Sequence, residues 1–307
     1  MRVVFFGTPN FAVAALQALL DARVTVVGAV TRPDKPQGRS RSQLVPPPVK
    51  LLAQSHDIPV LQPVQPLGDV FVTSLRRLEP DLGVVVAYGH ILRPEVLAIP
   101  PQGMINVHAS LLPRYRGAAP IQHAILEGET ETGISIIQME AGLDSGPVIH
   151  RVSTPIEPGE SAGALTDRLA QLGGAALVEA LSLLSGGLAR PQPQDPARAT
   201  FAPKIDRDMA RMAWDRNASA LVRQVRAFDP LPGAWTTLNG STLKLFGARE
   251  ATGEGTPGAV LAAGERLVVA AGEGAVAVQE VQPAGRGRFS VEAWVRGRGI
   301  TPGQRLL

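Results

Sequence analysis

The chain has 307 residues, 45% of them hydrophobic and 19% charged, which is the composition of an ordinary globular protein of about two domains. It contains no cysteine, so disulfides, thiolate metal centres and a thiol nucleophile are excluded. The net charge of +3 divides unevenly: residues 1–190 have 15 basic and 16 acidic side chains, and residues 191–307 have 15 and 11. The positive excess of the second part is compatible with a polyanionic partner or with a solvated surface.

The chain begins with a strand-like run at Val3–Gly7 and lacks the apolar stretch and cleavage site of a secretory leader. No apolar run reaches the ~18 residues that cross a bilayer. We therefore expect a cytoplasmic protein without a membrane segment. After the first strand, Thr8 and Pro9 predict the start of a helix that extends to Ala22.

Strand-like and helix-like segments then alternate along the chain. Further strands are predicted at 24–30, 84–87, 104–107, 134–139 and 148–152, and helices at 49–56, 121–126 and 161–184. This alternation predicts an α/β fold with a doubly wound, mostly parallel, Rossmann-like sheet.

The composition changes after residue 184. Ser185-Gly186-Gly187 and the Pro/Gln run at 191–196 predict a linker, because glycine ends helices and proline stiffens exposed segments. Beyond it, short strand-like runs predict a smaller C-terminal, OB-like β-barrel, a fold that commonly binds nucleic acid; they lie at 234–238, 242–247, 266–271 and 275–281. We expect an α/β catalytic domain at 1–188, a linker at 189–206 and the barrel at 207–307.

Two polar residues, Asn106 and His108, stand at the end of a predicted central strand, where open parallel sheets place their ligands. Strand alternation puts both side chains on one side. Asp144, in the turn Gly142–Gly146, would add a carboxylate able to orient the imidazole. Singly, each residue has an ordinary structural explanation; together they indicate acid–base chemistry. The other histidines show no metal-ligand spacing, so we expect no metal.

The sequence around these residues resembles the formyltetrahydrofolate-dependent formyltransferases, and in particular the methionyl-tRNA formyltransferases. The segments that carry the resemblance are Phe6–Pro9, Arg32–Arg39, Val86–Gly89, Asn106–Gln122, Gly142–Asp144, Arg226–Phe228 and Val281–Gly285. The Asn, His and Asp are shared by formyltransferases that act on different acceptors. They therefore identify the formyl-transfer reaction but not the acceptor. The segment Gly117–Gln122 and the basic second domain are the features that point to tRNA.

The resemblance implies transfer of a formyl group from 10-formyltetrahydrofolate to the α-amine of methionine on initiator tRNA, without a metal. Direct amine attack creates an oxyanion, which needs a hydrogen-bond donor and a route for the proton. Asn106 would be the donor, His108 a second donor or proton shuttle, and Asp144 the orienting carboxylate and proton acceptor. We expect a monomer whose partners are initiator methionyl-tRNA and the folate cosubstrate.

The resemblance implies that Gln138–Asp144 forms a wall of the folate pocket, and it assigns individual residues of two further segments to folate binding. Their residues are Ser110, Leu111, Leu112 and Pro113 in one, and Tyr88, Gly89, Ile91 and Leu92 in the other. The leucines at 111 and 112 are equally compatible with the core, and Ser110 with a turn serine bonded to backbone.

A basic loop occupies residues 32–50. It contains Arg32, Lys35, Arg39, Arg41 and Lys50 against a single acid, Asp34. A solvated charged loop explains this composition. The resemblance favours a loop that binds tRNA through Lys35, Arg39 and Arg41.

Three other functions stay open: a formyltransferase acting on a small amine such as a nucleotide sugar, a tRNA-binding protein without catalysis, and a nucleotide-dependent oxidoreductase. The complete Asn106, His108 and Asp144 set argues against the second. The turn Gly7–Asn10 lacks the three-glycine spacing of dinucleotide sites, which argues against the third. The tryptophans are predicted to lie in the barrel core; they are Trp214, Trp235 and Trp294.

Overall fold

The computed structural model describes residues 1–37 and 43–307. They form two compact units, neither of which is continuous in sequence. The first comprises residues 1–117, 132–154 and 166–201, and the second residues 118–131, 155–165 and 202–307. The segment 189–201, which we expected to be part of a linker, therefore clusters with the first unit. The functional boundaries at 188 and 207 stay a prediction.

The first unit is built on a seven-stranded sheet. Its strands are β1 (Arg2–Gly7), β2 (Thr25–Val30), β5 (Val60–Leu61), β6 (Leu82–Val86), β7 (Met104–His108), β8 (Glu131–Gln138) and β9 (Val148–Pro155), while β3 (Lys35–Gln37) and β4 (Gln43–Val45) form a separate hairpin. The helices in this part of the chain are α1 (Asn10–Asp21), α2 (Pro48–Ser55), α3 (Asp69–Arg76), α4 (Pro94–Leu97), α5 (Pro120–Leu126) and α6 (Ala162–Ser185).

The strand order is β5-β2-β1-β6-β7-β8-β9. The pairs β5–β2, β2–β1, β1–β6 and β6–β7 are parallel, and β7–β8 is antiparallel. The winding reverses between β1 and β6, as in doubly wound sheets whose ligands bind beyond the carboxyl ends of the strands. The expected doubly wound, mostly parallel sheet is confirmed. All five residues of β6 are buried, which explains its uninterrupted apolar sequence.

The second unit contains a six-stranded antiparallel sheet of order β10-β11-β14-β13-β12, with β15 beside β14. The strands are β10 (Ala234–Leu238), β11 (Ser241–Ala251), β12 (Val260–Ala263), β13 (Leu267–Ala270), β14 (Ala275–Pro283) and β15 (Phe289–Ser290). The last residues of the chain close this sheet. Leu307 exchanges backbone hydrogen bonds with Thr237 of β10, and Leu306 N donates to Gly258 O, just before β12.

Helices α7 (Ala218–Phe228) and α8 (Val291–Arg296) also belong to the second unit, although the sequence predicted neither. The Asn217 side chain caps α7 by accepting from Ala220 N at 2.8 Å. Helix α7 packs against α5, and Arg223 Nε donates to Leu126 O at 3.1 Å. Thus α5, which comes early in the sequence, is part of the C-terminal unit.

The tryptophan prediction is correct for two residues of three. Trp214 and Trp294 are buried, with exposed fractions of 5% and 8%. Trp235 is only half-buried, and the guanidinium groups of Arg207 and Arg211 lie 5.3 and 5.7 Å from its ring centroid. None of the helices within residues 1–37 and 43–307 has the length and apolar character needed to cross a membrane.

Candidate active site

Strand β7 positions the first two candidate residues. It pairs with β6 on one side and β8 on the other, with Val85 opposite Asn106 and Ser135 opposite His108. The two side chains lie on the same face because they are two residues apart. His108 is almost completely buried, whereas Asn106 is partly exposed.

Asp144 reaches the same point from the turn between β8 and β9. Its Oδ1 accepts a hydrogen bond from Asn106 Nδ2 at 3.3 Å, and its Oδ2 lies 3.6 Å from His108 Nδ1. The turn approaches β8 closely at Gly146, where a Cβ would stand 1.8 Å from Gln138 O, so only glycine fits. The structure therefore brings the three predicted residues together.

A backbone donor that the sequence analysis missed completes the environment of Asp144. Gly117 N donates to Asp144 Oδ2 at 2.9 Å, which is the shortest contact made by this carboxylate among the described residues. A backbone N–H carries no sequence signal of its own, so only the fold reveals it.

The imidazole of His108 is fixed by a second contact. Its Nε2 lies 2.9 Å from Tyr115 O, and a carbonyl only accepts, so Nε2 carries a hydrogen. In the neutral ring Nδ1 then presents a lone pair to Asp144 Oδ2. At 3.6 Å these two atoms are too far apart for a direct hydrogen bond. Because His108 Nδ1 and Asp144 Oδ2 each offer a lone pair, a proton can be accepted between them.

The loop that carries Tyr115 has an unusual backbone. Tyr115 has φ +60°, a left-handed conformation that is uncommon for an aromatic residue and costs about 1–3 kcal/mol. Thr200 supports it: its Oγ1 accepts from Tyr115 N and its O accepts from Arg116 N, both at 2.9 Å. The two hydrogen bonds to Thr200 therefore hold the loop in a backbone conformation that Tyr115 would rarely adopt without them.

Gln194 supports the Asp144 turn in a similar way. Its Nε2 donates to Asp144 O and to Gly146 O, both at 2.8 Å. Both Gln194 and Thr200 lie in the segment that the sequence marked as a linker. No local pattern identifies them, because their partners are 48 to 85 residues away.

The residues implied to bind folate divide by exposure. The side chains of Tyr88, Leu92, Ser110 and Leu112 are buried, whereas Gly89 is exposed, Leu111 and Pro113 are half-buried, and Ile91 is 89% exposed. Ser110 Oγ donates to Arg114 O at 2.6 Å, as expected for a turn serine. Leu143, beside Asp144, is a second apolar side chain open to solvent.

Tyr88 follows strand β6. Its hydroxyl is buried and has no hydrogen-bond partner among the described residues. Burial raises the pKa of this phenol to about 12, and the cation of Arg32 opposes the shift. Burial, and then the charge of Arg32, lower the pKa of the neighbouring His90, whose ring centroid is 5.4 Å from that of Tyr88. Both groups therefore favour their neutral forms.

The basic loop is partly described. Lys35 is exposed on β3. Arg39 and Arg41 lie outside the described residues. Lys50 is not an available cation, since its Nζ donates to both Asp34 carboxylate oxygens at 2.9 and 2.8 Å. Hydrogen bonds from Gln62 and from Lys50 lower the pKa of Asp34.

No cluster of three or more His, Asp or Glu side chains within the described parts of the chain is arranged to hold a metal ion. The side chains that converge here are an amide, an imidazole and a carboxylate. Such a set can stabilise an oxyanion and transfer a proton.

Comparison with known proteins identifies the family of this chain. Residues 1–181 match the formyl transferase family, and residues 204–299 match the formyl transferase C-terminal domain. The chain belongs to the formyltransferase family and, within it, to the methionyl-tRNA formyltransferases. It is 47% identical to the methionyl-tRNA formyltransferase of Pelobacter propionicus over 99% of this chain and 95% of that protein, and 50% identical to that of Stutzerimonas stutzeri over 93% and 91%.

Solved structures share the fold at lower identity. Methionyl-tRNA formyltransferase from Clostridium thermocellum aligns with a TM-score of 0.58 and 14% identity over 94% of this chain and all of that one. HypX from Aquifex aeolicus, solved with tetrahydrofolic acid, aligns with a TM-score of 0.69 and 21% identity over 97% of this chain. This chain spans about half of HypX, namely 47%.

Proposed function

We propose that this protein transfers the formyl group of 10-formyltetrahydrofolate to the α-amine of methionine carried by initiator tRNA, as its family does in translation initiation. The observation that carries the residue assignment is the convergence of Asn106, His108 and Asp144 at the end of β7. We further propose that it works as a monomer in the cytoplasm.

The chemistry is direct acyl transfer. The amine nitrogen attacks the formyl carbon, the carbonyl oxygen becomes an oxyanion, and the bond from the formyl carbon to the folate nitrogen then breaks. Asn106 Nδ2 has two hydrogens, of which one contacts Asp144, so the other is available to the oxyanion.

The proton released by the attacking amine goes to the gap between His108 Nδ1 and Asp144 Oδ2. From there it is returned to the departing folate nitrogen, so protons balance over the cycle. His108 Nε2 is engaged by Tyr115 O, so Nδ1 is its working atom. His108 can act as a second oxyanion donor only after Nδ1 has taken up a proton.

We propose that the folate cosubstrate binds beside these residues. Ile91 and Leu143 expose aliphatic side chains, which a flat heteroaromatic ring would cover favourably. We propose that Gly89, Ile91, Leu111 and Pro113 touch the ligand directly. The other four residues assigned to the folate site have buried side chains, so we propose that they pack behind the residues that touch the ligand. They are Tyr88, Leu92, Ser110 and Leu112.

The tRNA is assigned to the basic loop, through Lys35, Arg39 and Arg41, and to the C-terminal barrel. The supporting observation is the charge distribution, with +4 in residues 191–307. Phosphate contacts position the tRNA whatever its sequence, and because initiator and elongator tRNA both carry methionine, contacts with bases near the acceptor end would have to distinguish them.

The test is an acceptor assay with 10-formyltetrahydrofolate labelled in the formyl group. Purified protein is given charged initiator tRNA, charged elongator methionine tRNA, or an amino sugar nucleotide. We expect label on the methionine of initiator tRNA, with much less on elongator tRNA. Label on the sugar alone would establish the small-amine alternative, and no label on any acceptor would refute the transferase.

A further inference from the structure

Gln194 uses its entire side-chain hydrogen-bonding capacity at the turn that carries Asp144. Its Nε2 donates to Asp144 O and Gly146 O at 2.8 Å each, and its Oε1 accepts from Arg116 Nε at 3.1 Å and Arg116 Nη2 at 2.7 Å. An amide has two N–H donors and one oxygen with two lone pairs, so no capacity is left. Because Arg116 can only donate, the orientation of the amide is determined.

These contacts form a closed ring around Asp144. Arg116 immediately precedes Gly117, whose N–H holds the Asp144 carboxylate at 2.9 Å. Gln194 holds the backbone carbonyl of Asp144, and Arg116 in turn orients Gln194. Asp144 itself has φ +45°, a conformation that its neighbours must maintain.

The relative lengths of the contacts indicate what sets the position of the carboxylate. Its contacts with Asn106 and His108 are long, at 3.3 and 3.6 Å, so neither residue fixes it tightly. Gly117 N makes a shorter contact with the carboxylate, at 2.9 Å, and Gln194 holds the backbone that carries it, through contacts of 2.8 Å with Asp144 O and Gly146 O. The carboxylate is therefore placed by groups that do not take part in the chemistry.

We propose that Gln194 is a positioning residue for formyl transfer: it holds the backbone of the Asp144 turn and thereby sets the gap between the Asp144 carboxylate and His108 Nδ1. This inference rests on the proposed roles of Asn106, His108 and Asp144. A displacement of ~1 Å in a catalytic constellation can cost ~10²-fold in rate.

The first experiment replaces Gln194 in the full-length protein. Gln194→Met keeps the length of the side chain and removes the amide, and Gln194→Glu keeps an acceptor for Arg116 but loses both donors. We expect kcat to fall about tenfold to a hundredfold in each. KM for the folate and for tRNA should stay within about twofold, because Gln194 is assigned no substrate contact.

Gln192→Ala is the matched control. Gln192 lies in the same segment, but within residues 1–37 and 43–307 its side chain donates only to Arg190 O, two residues away, at 3.2 Å. Its backbone hydrogen bonds to Val148 do not depend on the side chain. We expect kcat of this variant to equal that of the wild type.

A double variant separates positioning from mere stabilisation. In the Asp144→Ala background, Gln194→Met should lower kcat no further, because the carboxylate that it places is gone. A purely structural role would lower the melting temperature and leave kcat of the folded protein unchanged, and that result overturns the proposal. If Gln194→Met does not fold, Gln194→Asn, which is shorter by one methylene, replaces it, and wild-type kcat in that variant is equally contrary.

Failure of the proposed function gives a different pattern. If Asp144→Ala itself turns over normally, the proposed role of Asp144 is wrong whatever Gln194 does. If Asp144→Ala is impaired while both Gln194 variants have wild-type kcat, the positioning role alone is refuted.

Discussion

Gly117 donates its backbone N–H to Asp144 Oδ2 at 2.9 Å and thereby joins the loop after β7 to the turn after β8. Each of these segments holds one side of the candidate site: the loop contacts His108 through Tyr115 O, and the turn carries the carboxylate. The site is thus defined by backbone groups as much as by its three side chains.

The three central residues should be individually essential. Asn106→Ala, His108→Ala and Asp144→Ala are each expected to lower kcat by about 10²–10³, since losing an oxyanion donor costs about 2.7–4 kcal/mol and losing an acid–base group costs a similar factor. Because the residues act as a unit, double variants should cost much less than the sum of the single ones. Steady-state kinetics at saturating folate measures both effects.

His56→Ala is a suitable control, because His56 is exposed at the end of α2 and has no part in the site. Circular dichroism should show that all the variants fold. Near-normal turnover in any two of the three site variants would refute the assignment.

The basic loop should contribute to tRNA binding through charge. Replacing Arg39 and Arg41 by Ala is expected to weaken tRNA binding without altering folate binding. If both contact phosphates, the slope of log affinity against log salt should become shallower by about 1.4–1.8. Salt titrations with initiator and elongator tRNA measure this slope.

The matched control is the pair Arg76 and Arg77, both replaced by Ala. These exposed arginines end α3 and come shortly before the amino end of β6, whereas the basic loop begins after the carboxyl end of β2. Their removal changes the net charge equally but should leave the slope unchanged. Equal effects of the two double variants would mean that the loop acts only through overall charge.

Tyr88 should ionise only at very high pH. Burial raises its pKa to about 12 in the folded protein, whereas the pKa of a tyrosine in the unfolded chain is about 10. Stability is therefore unaffected below pH 10 and is lost as pH rises from about 10 to about 12, because only the unfolded chain releases the proton in that range. The chain has only two tyrosines, so Tyr115→Phe allows the absorbance of the Tyr88 tyrosinate to be followed alone.

In that variant we expect a midpoint near pH 12 for the folded protein and near pH 10 in denaturant. Tyr88→Phe should remove the corresponding loss of stability and cost little below pH 10, because its hydroxyl has no partner among the described residues. A folded protein whose tyrosine titrates near pH 10 would contradict the buried environment.

The residues that close the C-terminal sheet should be important for stability. Leu306 is 1% exposed, whereas the adjacent Leu307 is 60% exposed. Leu306→Ala is therefore expected to lower the free energy of unfolding by about 2–5 kcal/mol through the cavity it leaves. Leu307→Ala should have almost no effect, since both variants keep the backbone hydrogen bonds. Denaturant titration compares them, and equal values would mean that Leu306 is not packed in the core.

Much of the first unit was predictable because its elements have strong local signals. Buried parallel strands such as β6 are continuous apolar runs, and α6 is long and rich in alanine and leucine. Position at the carboxyl end of β7 was enough to select Asn106 and His108. The short elements β5 and α4, of two and four residues, are too small to produce a pattern.

The supporting groups of the site could not be predicted, for a different reason. Gly117 acts through its backbone, and Gln194 lies in a Pro/Gln run whose composition is typical of a linker. Their importance arises from contacts with Asp144 at separations of 27 and 50 residues. Such contacts depend on the complete fold and leave no periodic trace in the sequence.

The discontinuity of the two units affects how the protein can be dissected. The chain passes between them at residues 117/118, 131/132, 154/155, 165/166 and 201/202. A chimaera that takes residues 207–307 from a relative would keep this chain's α5, against which the relative's α7 would have to pack. Recombination at the linker should therefore succeed only between sequences whose α5 and α7 have changed together, so the two halves of this gene are constrained to evolve in concert.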